Sequence, residues 1–116
     1  SSEHLEQCIR TNAESTGYTD GQGQERVPHQ LIMLEVHASW CRACMGVTKR
    51  YLKLCAANPQ VLCLKLNKGD HQDVAAKLGV RGLPTFVLYK NGKRIDHFTT
   101  TDQDTMEEAI LDNTTT

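Results

Sequence analysis

Two cysteines three positions apart, Cys41 and Cys44, are the residues of this chain best suited to chemistry. A Cys-x-x-Cys set between a strand-forming run and a helix-forming one is suited to dithiol–disulfide exchange. Residues i and i+3 lie on one side of a helix, so two sulfurs at that spacing meet after small χ1 rotations. The start of a helix also presents unpaired N–H groups and a partial positive charge. Both favour a thiolate at the first cysteine. Cys41 is therefore the expected nucleophile, and Cys44 the thiol that closes the disulfide and releases the reduced substrate. Arg42 adds a fixed positive charge beside the forming thiolate. By stabilising the reduced form it makes the couple more oxidising than a neutral residue would.

The segments around this pair define how it must be held. Leu31-Ile32-Met33-Leu34-Glu35-Val36-His37 is nearly continuously apolar and predicts a strand buried on both faces. Residues 42–57 carry Cys44, Val47, Tyr51, Leu54 and Cys55 at helical spacing, and Asn58-Pro59 ends that helix. Val61 to Leu66 predicts a second buried strand, and Asp70 the start of a short helix with Val74, Ala75 and Leu78 inward and Gly79 as its stop. Thr85 to Tyr89 predicts a third strand. Asn91-Gly92 is a hairpin turn signal that pairs it antiparallel with Arg94 to Phe98. Asp102 or Thr101 caps a last helix bearing Met106, Ala109 and Ile110, and Thr114 to Thr116 reads as a frayed tail. Upstream, Leu5, Cys8, Ile9 and Ala13 mark an amphipathic helix over residues 3–14, and residues 16–30 read as a long loop or insertion.

The first strand–helix–strand unit must cross over right-handed and is parallel, whereas the hairpin is antiparallel. The expected architecture is a single α/β domain over residues 1–116, a central mixed sheet of about four strands with helices on both faces. Glu35 becomes a buried carboxylate by its place in an apolar strand, which raises its pKa and suits it to exchange a proton with Cys44 through water; the alternative is that its longer side chain reaches solvent and serves no such role. Lys65 is its candidate ion-pair partner, and His37, beside the pair, reads as a packing residue.

Thirteen basic against fourteen acidic residues, a net charge of −1, leaves no electrostatic footprint for nucleic acid and no polybasic membrane patch. No apolar run approaches the roughly 20 residues that span a bilayer, which excludes membrane insertion by a helix. Ser1-Ser2-Glu3-His4 does not read as a signal peptide. Five cysteines, odd in number and dispersed, argue against a secreted disulfide scaffold and for an intracellular reducing compartment. There is no second Cys-x-x-Cys and no His-x-x-x-His pair, so no metal site is expected. Cys8, Cys55 and Cys63 read as small packing residues, with a regulatory second disulfide as the alternative.

Several motifs in the correct order resemble the thioredoxin family across about residues 31–112. Ala38-Ser39-Trp40-Cys41-Arg42-Ala43-Cys44 resembles its A-x-W-C-x-x-C active site, and Val80-Arg81-Gly82-Leu83-Pro84-Thr85 its V-R-G-I-P-T segment. Tyr89-Lys90-Asn91-Gly92 and Lys65-Leu66-Asn67 resemble its F-K-N-G turn and K-x-N element. The resemblance implies the thioredoxin-like fold, with four strands because the family's first strand is not evident, and a protein-disulfide oxidoreductase that needs no metal or organic cofactor. It implies a cis peptide bond before Pro84 opposite the cysteines, and substrate contacts through Trp40, Arg42, Leu83 and Pro84. Partners would be disulfide-containing target proteins and an upstream thiol reductase or thiol pool. Departures are Arg42-Ala43 for Gly-Pro, Glu35 for a buried Asp, His37 for an aromatic residue, Lys49 for a kinking Pro and Thr100 for a Gly. The W-C-R-x-C signature is similar to that of atypical plastid thioredoxins, which implies the plastid stroma, with the cytoplasm as the alternative. The other functional class consistent with these departures is a thioredoxin-like structural subunit docked in a larger assembly. An isomerase-like oxidant of a secretory compartment is a third.

Overall fold

The computed structural model describes residues 31–114 together with Glu3, Leu5, Gln7, Tyr18, Thr19, Glu25 and Arg26. Most of the expected helix over residues 3–14, including Cys8, and most of the 16–30 segment lie outside the described residues. Within that segment two short strands, β1 (Tyr18–Thr19) and β2 (Glu25–Arg26), pair antiparallel. A segment read as an irregular loop therefore contains a small ladder, too short to show a period in the sequence.

The main sheet comprises β3 (Leu31–His37), β4 (Val61–Asn67), β5 (Thr85–Lys90) and β6 (Lys93–Thr99) in the order β4-β3-β5-β6. β3 runs parallel to β4 and antiparallel to β5, and β6 closes the hairpin on β5. The sheet is mixed, as the segment order requires. Asn91 and Gly92 both adopt positive φ, 53° and 81°, the twist that a two-residue hairpin demands.

Alternation along β3 divides the core in two. Leu31 and Met33 face helix α1 (Arg42–Ala57) and helix α3 (Gln103–Thr114), where Val47, Tyr51, Leu54, Phe86, Leu88, Met106 and Ile110 complete one cluster. Ile32, Leu34 and Val36 face the other way, packing with Ala75 of helix α2 (Gln72–Lys77), Val80, Val87 and Tyr89. Each helix thus covers a sheet face with its apolar stripe. Tyr51 anchors α1 to the sheet, its hydroxyl lying 2.7 Å from the Met33 carbonyl oxygen and 2.9 Å from that of Leu64.

Two expectations need correction. β4 is an edge strand of the four and mostly half-buried, not buried on both faces. Its apolar run covers sheet face, not a central position, and strand order is a tertiary property that composition does not encode. Helix α2 begins at Gln72 with His71 as its cap position, two residues later than Asp70, which lies in a turn hydrogen-bonded to Asn67. Asp102 does cap α3, its carboxylate accepting from the Asp104 N–H and the Thr105 hydroxyl.

Candidate active site

β3 runs out at His37, and a tight turn, in which the Cys41 N–H donates to the Ala38 carbonyl, delivers the chain into α1. Cys41 is the N-cap residue of that helix. Its backbone is extended (φ −89°, ψ 109°), and its sulfur accepts the Cys44 N–H at 3.2 Å. A cap normally uses an oxygen for this bond. Here the sulfur of the expected nucleophile takes that place, so the helix N-terminus is aimed at it. The first turn of α1 contains no acidic residue to oppose a thiolate, and Arg42 there is exposed.

The two sulfurs are paired, with Cα atoms 5.3 Å apart. Their exposures differ in the sense that exchange requires. Cys41 is half-buried, whereas Cys44 is 3% exposed, so an incoming disulfide meets Cys41 first. Trp40, 63% exposed, stands next to Cys41 as an apolar surface. Its indole lies over Gly69 in the loop after β4. A Cβ on Gly69 would come within 2.9 Å of the ring, so this position accepts no side chain without displacing Trp40.

The Leu83–Pro84 peptide bond is cis, and Pro84 is buried. Thr85 opens β5 opposite Val36 of β3, which places Pro84 at the same end of the sheet as the cysteine turn. The Thr85 hydroxyl lies 2.6 Å from the Gly82 carbonyl and 2.8 Å from the Thr99 hydroxyl, tying the approach to Pro84 onto β6. Leu83 is half-buried against the α2-side core.

Glu35 lies on the α1 side of β3 and is fully buried. The Thr48 hydroxyl donates to its Oε1 at 3.2 Å, while Oε2 has no hydrogen-bond partner among the described residues. Burial pushes the Glu35 carboxyl above its ordinary range. The Thr48 hydrogen bond and the Lys65 ammonium pull the other way. Lys65 pairs with Glu35 in the β3–β4 register, but its side chain is exposed and it acts across space, not through a contact ion pair with Glu35. His37 Nδ1 stands 3.5 Å from Glu35 Oε1 without forming a hydrogen bond. Burial, then Lys65, hold its pKa below the usual value, so the imidazole is neutral at pH 7. Tyr51 beneath stays protonated, since burial and then the Glu35 carboxyl drive its phenol far above the usual range.

The structure thus brings Cys41, Cys44, Trp40 and Pro84 to one end of the sheet and sets Glu35 behind them, under α1. Two contributors were missed from sequence. Thr48 lies four residues after Cys44, and that spacing alone could have placed it on the same helical face. Gly69 carries no such signal, because its role depends on a ring more than twenty residues away.

A half-exposed capping cysteine, disulfide-paired to a buried one on a mixed four-stranded sheet, is the architecture of a dithiol–disulfide exchange protein. Comparisons with known proteins agree. The thioredoxin family model matches residues 18–112. A thioredoxin of Gallus gallus is 32% identical over 81 residues, covering 70% of this chain and 77% of that protein. A thioredoxin structure from Fasciola hepatica superposes with a TM-score of 0.71 at 29% identity, covering 73% of this chain and 82% of that one. A thioredoxin structure from Nicotiana alata gives 0.79 at 24% identity over 97% of this chain and 87% of that one, a likeness of fold. The chain belongs to the thioredoxin family. It has the thioredoxin-like fold and is a thiol–disulfide oxidoreductase acting on protein disulfides. No helix among the described residues is long and apolar enough to cross a membrane.

Proposed function

We propose that Cys41 is the attacking thiol of this oxidoreductase and Cys44 its resolving thiol, with Glu35 handling the proton. The Cys41 thiolate attacks one sulfur of a target disulfide, and the other target sulfur leaves as a thiolate. Cys44 then gives its proton to Glu35 and attacks Cys41, expelling the second target thiolate. The target gains two electrons and the Cys41–Cys44 disulfide forms. The observation that carries this reading is the capping bond from the Cys44 N–H to the Cys41 sulfur, joined to the burial of Cys44.

Glu35 suits the proton step because a carboxyl raised above its ordinary value is a stronger base near neutral pH. Thr48 positions it, and Lys65 keeps it from rising further. Trp40, Leu83 and the cis Pro84 form the ledge on which an extended target segment would lie, and Arg42 biases the couple towards its reduced form. Electrons return from an upstream thiol reductase or a low-molecular-weight thiol pool. The W-C-R-x-C signature favours the plastid stroma over the cytoplasm as the compartment.

A glutathione-buffered redox titration, coupled to dithiothreitol-driven reduction of a model protein disulfide, tests this assignment. Reversible two-electron behaviour with turnover, lost in Cys41→Ser, is the expected result. A pair that neither titrates nor turns over in the folded protein would leave a thioredoxin-like subunit of a larger assembly as the better account.

A further inference from the structure

Helix α1 carries a cysteine pair at each end. Cys55 lies in its last turn, three residues before the Asn58 cap, and Cys63 lies in β4. Strand alternation puts Cys63 on the face of β4 that meets α1, since its register partner Met33 belongs to the α1-side core. Both cysteines are partly buried against that core, as the sequence suggested. They also face one another as a disulfide, with Cα atoms 6.2 Å apart at a sequence separation of eight. That separation falls within the range a disulfide spans without moving the backbone.

We infer that Cys55 and Cys63 form a second redox couple, independent of Cys41–Cys44 and harder to reduce. The two ends of one helix bias the pairs in opposite directions. At the N-terminus, unpaired N–H groups stabilise the Cys41 thiolate and so the reduced form of that pair. At the C-terminus, the carbonyl dipoles, two of them capped by Asn58, disfavour a thiolate at Cys55. No basic residue in the last turn offsets them, and partial burial adds to the effect. A dithiol whose thiolate is disfavoured gives up its disulfide less readily. The span between them also includes the Asn58-Pro59 turn, so the open form has little to gain in freedom from a short, stiff loop.

Cys55 lies eleven helical positions after Cys44, about 16 Å of rise, too far for direct exchange between the pairs in one molecule. Oxidation therefore needs an external disulfide, such as glutathione disulfide. A Cys55 or Cys63 thiolate attacks it and one glutathione thiolate leaves. The second cysteine then expels the other, so two glutathiones form and the protein loses two electrons. The closed pair fastens the end of α1 to β4, an edge strand of the sheet, while the pair at the other end cycles. Over a range of redox conditions the active-site pair is reduced and this clasp remains shut.

The test is differential alkylation of the full chain at a series of reduced-to-oxidised dithiothreitol ratios, read by peptide mass mapping. In fully oxidised protein a Cys55–Cys63 linked peptide is expected. Its labelling midpoint should fall at a ratio about tenfold more reducing than that of Cys41–Cys44. Cys55→Ser should leave Cys63 labelled at every ratio and the Cys41–Cys44 midpoint unmoved, and Cys41→Ser should leave the Cys55–Cys63 midpoint unmoved. Labelling of Cys55 and Cys63 in fully oxidised protein, or a linked peptide joining either to Cys8, overturns the clasp. Opening of both pairs together, or of Cys55–Cys63 first, overturns its independence and order. The wild-type mapping needs no variant to fold, and none of these readouts depends on turnover.

Discussion

Replacing Thr48 with Val keeps the shape of the side chain and removes the hydroxyl that donates to Glu35 at 3.2 Å. A hydrogen bond to a charged group contributes roughly 1.5–3 kcal/mol, and at this length the lower figure applies. Since 1.36 kcal/mol corresponds to about one pKa unit, the Glu35 carboxyl should rise by about one unit in Thr48→Val. The consequence for stability has a definite sign. Glu35 already titrates above its ordinary value of 4.5 in the folded protein. Between the unfolded and folded values the native state therefore holds more protons, and stability falls as pH rises. Thr48→Val extends that window upward. The variant and the parent should be nearly equal in stability at pH well below the ordinary value, where Glu35 is protonated in both folded and unfolded chains. Above the folded values the variant should be less stable by ~1.5 kcal/mol. Denaturant unfolding of the oxidised protein across pH, with a carbon-13 titration of the Glu35 carboxyl, reads both quantities. An unchanged Glu35 titration, or a stability gap widest in acid, would refute the assignment of Thr48 to this carboxyl.

The remaining expectations concern the approach to the cysteines. Arg42→Gly removes the one charge in the first turn of α1 next to Cys41. An exposed charge interaction of ~0.5 kcal/mol should make the couple about 10 mV more reducing, measured against glutathione. An unchanged potential would mean that solvent screens the guanidinium fully. Gly69→Ala introduces a Cβ against the Trp40 ring. Tryptophan emission should shift, and the apparent KM for a protein disulfide should rise severalfold with the potential unchanged, whereas an unaltered spectrum would contradict the packing of Trp40 on this loop.

Much of this site was legible because its determinants are local. The Cys41–Cys44 spacing, the strand before it and the stripe of Cys44, Val47, Tyr51 and Leu54 after it all lie within one strand–turn–helix unit. The Asn91-Gly92 hairpin is equally self-contained. Glu35 was legible as a buried carboxyl because five apolar neighbours in β3 allow few other readings. What was not legible depends on distant parts of the chain meeting. The outer position of β4 follows from strand order, not strand composition. The reach of Lys65 was overstated for the same reason: register pairs its backbone with Glu35, but an outer strand lets the long side chain go to solvent. Thr48, Gly69 and the pairing of Cys55 with Cys63 each require two elements to be set against one another. The short β1–β2 ladder carries too few residues for any pattern to emerge.

The division of labour between the two cysteines is tested most directly by trapping. Single variants Cys44→Ser and Cys41→Ser, each with Cys8, Cys55 and Cys63 alkylation mapped, would be incubated with a disulfide-linked model peptide and the adducts located by mass spectrometry. The half-exposed capping cysteine and its buried partner lead to one expectation. Cys44→Ser should accumulate a stable mixed disulfide at Cys41, and Cys41→Ser should form none at Cys44 over the same time. Comparable adducts at Cys44, or none at Cys41, would contradict Cys41 as the nucleophile.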